Sequence, residues 1–522
     1  MENLKSITDI AKEPPIVESF SITGLFGNRS VSFNSTCAAT VLIAKNGSGK
    51  TTLLATLDAF LRGQFTRLAT LDFQKITCKI RGHDNNLQIT KKEVDQLIDL
   101  SSNSEIYSFA KAWEVEPLAL LGLIENGVHQ KQIIELRDNP TFYAIYSKLS
   151  YDSQLAINQC NRLANTLKNK NNNLDQVRGT LKDVLKNIEI VYLPTYRRIE
   201  LSLPDSDYRR GERRKSILSK LGIARSGLHS ADIQFGLGDI SERLSALYSE
   251  MRYRSNQGYG KVSANIINAL ITNEYKNKEL SQENLPSKES LEIFFERIKD
   301  TEKDFRRSSM FESYFSPPDI NPIYSDEISE EAKPFLHYFL DQLNSVISES
   351  RQTEELVEAF KESCNRYLSG DDNSTDNYSS NLNNNFDKKK ISINKKNLRV
   401  KVTSTPSDDE VPLEALSSGE KQMISLFARL YLYQNKKIIL IDEPELSLSI
   451  NWQRQILPDI LQSPTCEQLI GITHSPFIFD NELEPYAGSL NLEAFKKPSD
   501  KEILTKNSKD TEQEEEEEEN DE

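Results

Sequence analysis

Leu416-Ser-Ser-Gly-Glu-Lys-Gln422 decides how this chain is read. Alone it is a turn of small residues entering a helix, with Ser417 or Ser418 as an ordinary N-cap. Its setting changes that reading. Shortly downstream runs Lys437-Ile-Ile-Leu-Ile-Asp-Glu-Pro444, an apolar strand tipped by two acids. Far upstream lies Ala44-Lys-Asn-Gly-Ser-Gly-Lys-Thr51, a glycine loop between the apolar strand Ala39-Thr-Val-Leu-Ile43 and a helix from about Thr51 to Leu61. A further apolar strand, Gln468-Leu-Ile-Gly-Ile-Thr473, ends at His474.

Each segment carries a chemical expectation. Glycines in the first loop let backbone N–H groups approach phosphate oxygens, and the helix N-terminus adds partial positive charge. Asn46, Gly47, Ser48, Gly49, Lys50, Thr51 and Thr52 form the candidate nucleotide-binding stretch. Lys50 is placed to reach the β- and γ-phosphates of ATP, and the Thr51 hydroxyl to ligate Mg²⁺. Ala44 stands where the pattern has its first glycine, which costs little at negative φ. Side chains alternate on a strand, so the two acids have different tasks. Asp442 is placed to hold Mg²⁺ through water, and Glu443 to polarise the attacking water. His474 is a candidate γ-phosphate contact. Ser417, Ser418 and Gly419 at a helix N-terminus suit an anion. Every motif has a plain alternative, such as a turn without ligand, a solvated acidic turn or a structural histidine. Their joint occurrence in this order makes coincidence remote.

The chain of 522 residues is long enough for two or three domains with a large core. It has no run of 18 apolar residues, which excludes a membrane-spanning helix. Five scattered cysteines without a CxxC pair argue for a reducing compartment and against a disulfide or zinc framework. Met1-Glu-Asn-Leu-Lys-Ser6 lacks a secretory pattern, so the expected location is cytoplasmic. The net charge of −15 is unevenly spread, because residues 509–522 hold ten acids and one base. That tail is expected to be disordered, either solubilising or mimicking nucleic acid. Arg197-Arg198, Arg209-Arg210 and Arg213-Arg214-Lys215 place seven cations within 19 residues. Such a cluster is most simply a solvated face, with phosphate or nucleic-acid contact by Arg197 and Arg198 as the sharper reading.

Residues 16–33 read as two short strands, with more at 74–80 and 86–90. Lys91 to Lys186 is helical in pattern, 187–193 a buried strand, and 204–370 polar and mostly helical. Eight asparagines mark 371–397 as a polar linker. A strand at Leu398-Arg-Val-Lys-Val402 and helices at Lys421–Tyr433 and Ile450–Leu461 follow. One nucleotide-binding core is therefore expected from both chain ends. Residues 1–92 and 398–492 would form it. Residues 93–397 would be a mainly helical insertion with a core strand near 187–200, and 493–522 an acidic tail.

The motif set resembles the ABC-type ATPases of the SMC, Rad50 and RecF-like group. By that likeness Ala44 to Thr51 is the Walker A motif, Leu416 to Glu420 the signature, and Ile438 to Glu443 Walker B. Glu445 to Ser449 is then the D-loop, with Ser449 where many members have His, and His474 the switch histidine. The resemblance implies an α/β ABC-type head and a head-to-tail ATP sandwich of two copies, with the signature serine acting in trans. Tyr192-Leu-Pro-Thr-Tyr-Arg-Arg-Ile-Glu200, Leu416 to Gln422 and Asp442-Glu-Pro-Glu-Leu-Ser-Leu-Ser449 look more closely like PtuA-type ATPases of Septu-like and retron-associated anti-phage systems. That likeness implies an HNH nuclease partner (PtuB-like) and, in retron versions, a reverse transcriptase with its DNA–RNA hybrid (msDNA). The competing functions are an SMC- or RecF-like DNA repair ATPase that clamps DNA, a transporter's ATPase subunit, and an inactive nucleotide-binding scaffold.

Overall fold

A computed structural model describes residues 6–45, 47–97, 104–125, 136, 139–168, 172–194, 237–273, 275, 285–305, 317–325, 327–369, 388–405, 407–412, 415–445 and 448–494. The chain divides into two units, one from residues 1–233 with 435–522 and one from residues 234–434. The stretch expected as one part over 398–492 is shared between them. The helix after the signature loop lies in the second unit and the acid-tipped strand in the first.

Along the chain, the first unit opens with α1 (Ile7–Ala11), β1 (Val17–Leu25), β2 (Arg29–Asn34), β3 (Ala39–Ile43) and α2 (Lys50–Leu61). β4 (Lys75–Ile80), β5 (Leu87–Thr90) and α3 (Lys91–Leu97) follow, then α4 (Glu105–Trp113), α5 (Pro117–Glu125), α6 (Pro140–Lys148), α7 (Ser153–Lys168), α8 (Asn172–Val184) and β6 (Ile188–Leu193). The second unit holds α9 (Leu237–Thr272), α10 (Lys288–Phe305), α11 (Asn321–Tyr324), α12 (Lys333–Leu368), β7 (Lys388–Ile393), β8 (Val400–Thr405), β9 (Glu410–Val411) and α13 (Ser418–Tyr431). The chain returns to the first unit with β10 (Lys436–Asp442), α14 (Ile450–Leu461), β11 (Cys466–Thr473), β12 (Ala487–Ser489) and β13 (Asn491–Ala494). The architecture is mixed α/β, and no described helix is long and apolar enough to cross a membrane.

Two sheets organise the first unit. The order β12–β3–β11–β10–β6 is parallel throughout, and β13–β2–β1–β4–β5 is antiparallel. β10 and β11 are almost continuously buried, as a sheet covered on both faces requires. Apolar residues of α2 (Leu53, Leu54, Leu57 and Phe60) pack into the same core as Phe20 and Ile438. A satellite helical cluster forms around Trp113, Leu120, Phe142 and Leu163. Its α5 is tied back by Glu125, which accepts the N–H groups of Phe65 and Thr66 at 2.9 and 3.0 Å and pairs with Arg178 at 2.7 Å. Burial pushes the Glu125 carboxyl up, against the pull of Arg178 and Thr66.

Gln468 joins the two sheets. It is fully buried in β11; its Oε1 accepts the N–H groups of Ile16 (3.0 Å) and Val17 (2.7 Å), and its Nε2 donates to Val17 O at 3.0 Å. Gln468→Leu strands three buried backbone groups, so it is expected to lower stability by about 3 kcal/mol, read from the urea midpoint.

In the second unit Gly258 lets α9 approach α12, since a Cβ there would lie 2.3 Å from Val346 Cγ1. Leu291, Phe294, Leu340 and Leu343 form the core beside it. α13 packs on α12 through Tyr367 and Phe427, whose rings lie 5.3 Å apart, and Ser363 bonds Tyr431 at 3.1 Å. The order β7–β8–β9 is antiparallel. The linker expected over 371–397 is corrected here, because residues 388–393 are a strand. Burial alternates along Lys388-Lys-Lys-Ile-Ser-Ile393, as in an edge strand with one covered face, and Asn365 brackets Ile391 by bonds of 2.7 and 2.9 Å. Residues 370–387, the segment 195–236 with its arginine cluster, and the tail from 495 lie outside the described residues.

All five cysteines are free, and burial pushes the Cys160 and Cys466 thiols up to about 12.

Candidate active site

The parallel sheet gathers the chemistry of the first unit. β3, β11 and β10 are neighbours running the same way, so their carboxyl ends lie along one edge. Those ends carry the glycine loop, His474, and Asp442 with Glu443. Ligands of open α/β sheets bind at such an edge.

The glycine loop is built for close approach. Gly47 and Gly49 have φ of +76° and +89°, a region that side chains rarely adopt. A Cβ at Gly49 would touch Leu25 Cδ2 at 3.4 Å. Arg29 Nη1 donates to Gly47 O at 3.0 Å and holds the loop from β2. α2 has no side-chain cap at Gly49, whereas Ser449 caps α14 by accepting Trp452 N–H. The first N–H groups of α2 are therefore left for an anion. The Ser48 hydroxyl is buried with no hydrogen-bond partner among the described residues, and a phosphate oxygen would supply one.

Lys50, Glu443 and His474 meet at the edge. The Lys50 side chain is 5% exposed, and its Nζ lies 2.8 Å from Glu443 Oε1. Lys50 Nζ also bonds His474 Nε2, which stands 3.4 Å from Glu443 Oε1. Glu443 has φ +50°, uncommon for a residue with a side chain, and its N–H is held by Ile472 O at 2.8 Å. This kink turns Glu443 toward Lys50, while Asp442 stays fully buried at the strand end. Thr51 and Thr52 begin α2 and are half-buried. Among the described residues no group of three His, Cys, Asp or Glu could hold a metal. A Mg²⁺ at Thr51 and Asp442 would need phosphate oxygens and water to complete its shell, which suits a nucleotide-borne ion.

Glu445 is a member of the site whose role the sequence does not announce. Its carboxylate accepts Thr473 Oγ1–H and His474 N–H, both at 2.8 Å, and Ser475 N–H at 3.3 Å. Ser475 Oγ in turn donates to Gln453 at 2.7 Å. Burial pushes the Glu445 carboxyl up, as does the nearby Glu443 charge, against these bonds. The sequence marks it only by place, two residues after Glu443 and at the head of the stretch read as the D-loop. Glu445→Ala frees the backbone that aims His474, so kcat is expected to fall about tenfold with little change in KM, read by steady-state ATP turnover.

The signature loop stands in the second unit. Ser417 caps α13, accepting Glu420 N–H at 3.3 Å, and Glu420 accepts Ser417 N–H at 2.7 Å. This is a capping box. Gly419 is buried within it. Asn46, Arg197 and Arg198 lie outside the described residues.

A phosphate-ready helix N-terminus, a lysine, and two consecutive acids at the end of one strand are the parts of a P-loop nucleotide hydrolase. The chain belongs to the AAA_15 family of AAA ATPase domains, whose model matches residues 24–479, and it is an ATP-hydrolysing enzyme. No curated protein matches the sequence. Among solved structures, the chain is similar to the Smc head bound to the C-winged helix domain of ScpA. That match has 9% identity over 92% of this chain and 98% of that one, with a TM-score of 0.33. It is also similar to the Smc head domain with an extended coiled coil bound to the C-terminal domain of ScpA, derived from Pyrococcus furiosus. There the identity is 12% over 94% and 98%, with a TM-score of 0.31.

Proposed function

We propose that the protein is the ATP-switched regulatory subunit of a bacterial anti-phage complex of the PtuA type. ATP held on Lys50 of one copy closes onto Ser417 of a second. Closure restrains or releases an HNH nuclease partner, with a reverse transcriptase and its DNA–RNA hybrid as further partners in a retron setting. The observation that carries the ATP switch is the Lys50–Glu443–His474 cluster beside an uncapped α2. Lys50 would bind the β- and γ-phosphates, and Thr51 and Asp442 would hold Mg²⁺. Glu443 would orient the attacking water and His474 contact the γ-phosphate. Closure contributes free energy only through the difference in ATP affinity between the open and closed states. The defence setting rests on the sequence motifs Tyr192 to Glu200, Leu416 to Gln422 and Asp442 to Ser449.

The test is affinity purification from the native host, followed by a nuclease assay on the complex with and without ATP. A co-purifying HNH protein whose cleavage changes with ATP supports the reading. A complex that clamps DNA without a nuclease returns the repair-ATPase alternative.

A further inference from the structure

The N-terminus of α13 already carries an anion of its own. Glu420 closes the capping box, so a carboxylate sits in the first turn of the helix, beside the Ser417 that would meet an incoming phosphate. Two anions at one helix end repel each other, and burial strengthens that repulsion. A cation is placed against Glu420. Lys389 Nζ stands 2.9 and 3.1 Å from its two oxygens, and the side chains are 21% and 14% exposed. The cation comes from β7, where strand alternation leaves Lys388 and Lys390 exposed and turns Lys389 to the covered face with Ile391. Pairing with β8 and the two Asn365 bonds to Ile391 fix that strand. Burial raises the Glu420 carboxyl, but the bonds from Lys389 and Ser417 outweigh it and hold the carboxyl below its ordinary range.

We propose that Lys389 is a positioning residue of the ATPase cycle: by neutralising Glu420 it makes the signature turn electrostatically able to accept the γ-phosphate of ATP bound on a second copy. This rests on the trans reading of Ser417 given above. A lysine that merely braces the fold would not show the charge dependence that this role demands.

The experiment measures ATP turnover against Mg-ATP concentration for full-length wild type, Lys389→Met, Lys389→Arg, Glu420→Gln, Lys389→Met with Glu420→Gln, and Ser417→Arg, with a thermal melt of each. Lys389→Met is expected to raise the half-saturating ATP concentration about tenfold, the effect of one uncompensated charge near the phosphate. Lys389→Arg stays near wild type. Glutamine still closes a capping box, so adding Glu420→Gln to Lys389→Met restores most of the loss even though it deletes a further ionic partner. Glu420→Gln alone leaves Lys389 unneutralised and lowers the half-saturating concentration. That arm decides the matter should Lys389→Met fail to fold. A double variant no better than the single, or an unchanged Glu420→Gln curve, overturns the role of Lys389. Turnover that survives Ser417→Arg overturns instead the trans reading beneath it.

Discussion

Glu443→Gln is expected to lower ATP turnover by about 10²- to 10³-fold while preserving nucleotide binding. The carboxamide keeps the shape of Glu443 at its left-handed backbone position but cannot take a proton from water. It also weakens the hold on Lys50, whose ammonium stands 2.8 Å from the carboxylate. ATP is therefore expected to bind at least as tightly as in wild type and to accumulate in a closed dimer. Sedimentation with Mg-ATP should show a dimer that persists for Glu443→Gln and decays by hydrolysis for wild type. Turnover within threefold of wild type would remove Glu443 from the chemistry.

Mixing two dead variants should restore activity. Lys50→Ala removes the buried cation of the glycine loop, and Ser417→Arg fills the signature turn with a side chain. Each alone is expected to lose nearly all turnover. In a head-to-tail pair of mixed composition, one composite site takes both defects and the other takes neither. With random pairing of equal amounts, half of the dimers carry one intact site of two, so about one quarter of wild-type turnover returns. A site completed within one chain predicts no recovery, so the mixture separates the two arrangements without knowledge of any partner.

Four strands of the parallel sheet, β3, β11, β10 and β6, were legible because they are largely buried and read as apolar runs, whereas the short and mostly exposed β12 was not. Ala39–Ile43 occurs with the boundaries read from the sequence, and α14 spans Ile450–Leu461 as the periodicity predicts. The glycine loop announces itself, since few other stretches need two positive-φ glycines before a helix. The strand β7 was hidden in a polar stretch because only Lys389, Ile391 and Ile393 face inward, and one of those three is charged. The division of the chain was also hidden. α13 joins the second unit through Tyr367, Phe427, Ser363 and Tyr431, pairings across long sequence separations that no local pattern encodes. Glu445 was read only as the head of the D-loop, and its task stayed hidden for a similar reason: it accepts the N–H groups of His474 and Ser475, and a backbone donor leaves no mark in the sequence.

The strand order β12–β3–β11–β10–β6 bears on how the protein is made. β3 finds both its neighbours, β11 and β12, among residues 466–489. During synthesis the glycine loop and its strand emerge early and then wait for more than 400 further residues. At about 5–20 residues per second that interval is roughly 20–80 s. For that time β3 presents two unpaired apolar edges to its surroundings, a state exposed to aggregation. Chains released early keep Lys50 but never complete the sheet around it, so premature termination yields sticky fragments rather than partial enzymes.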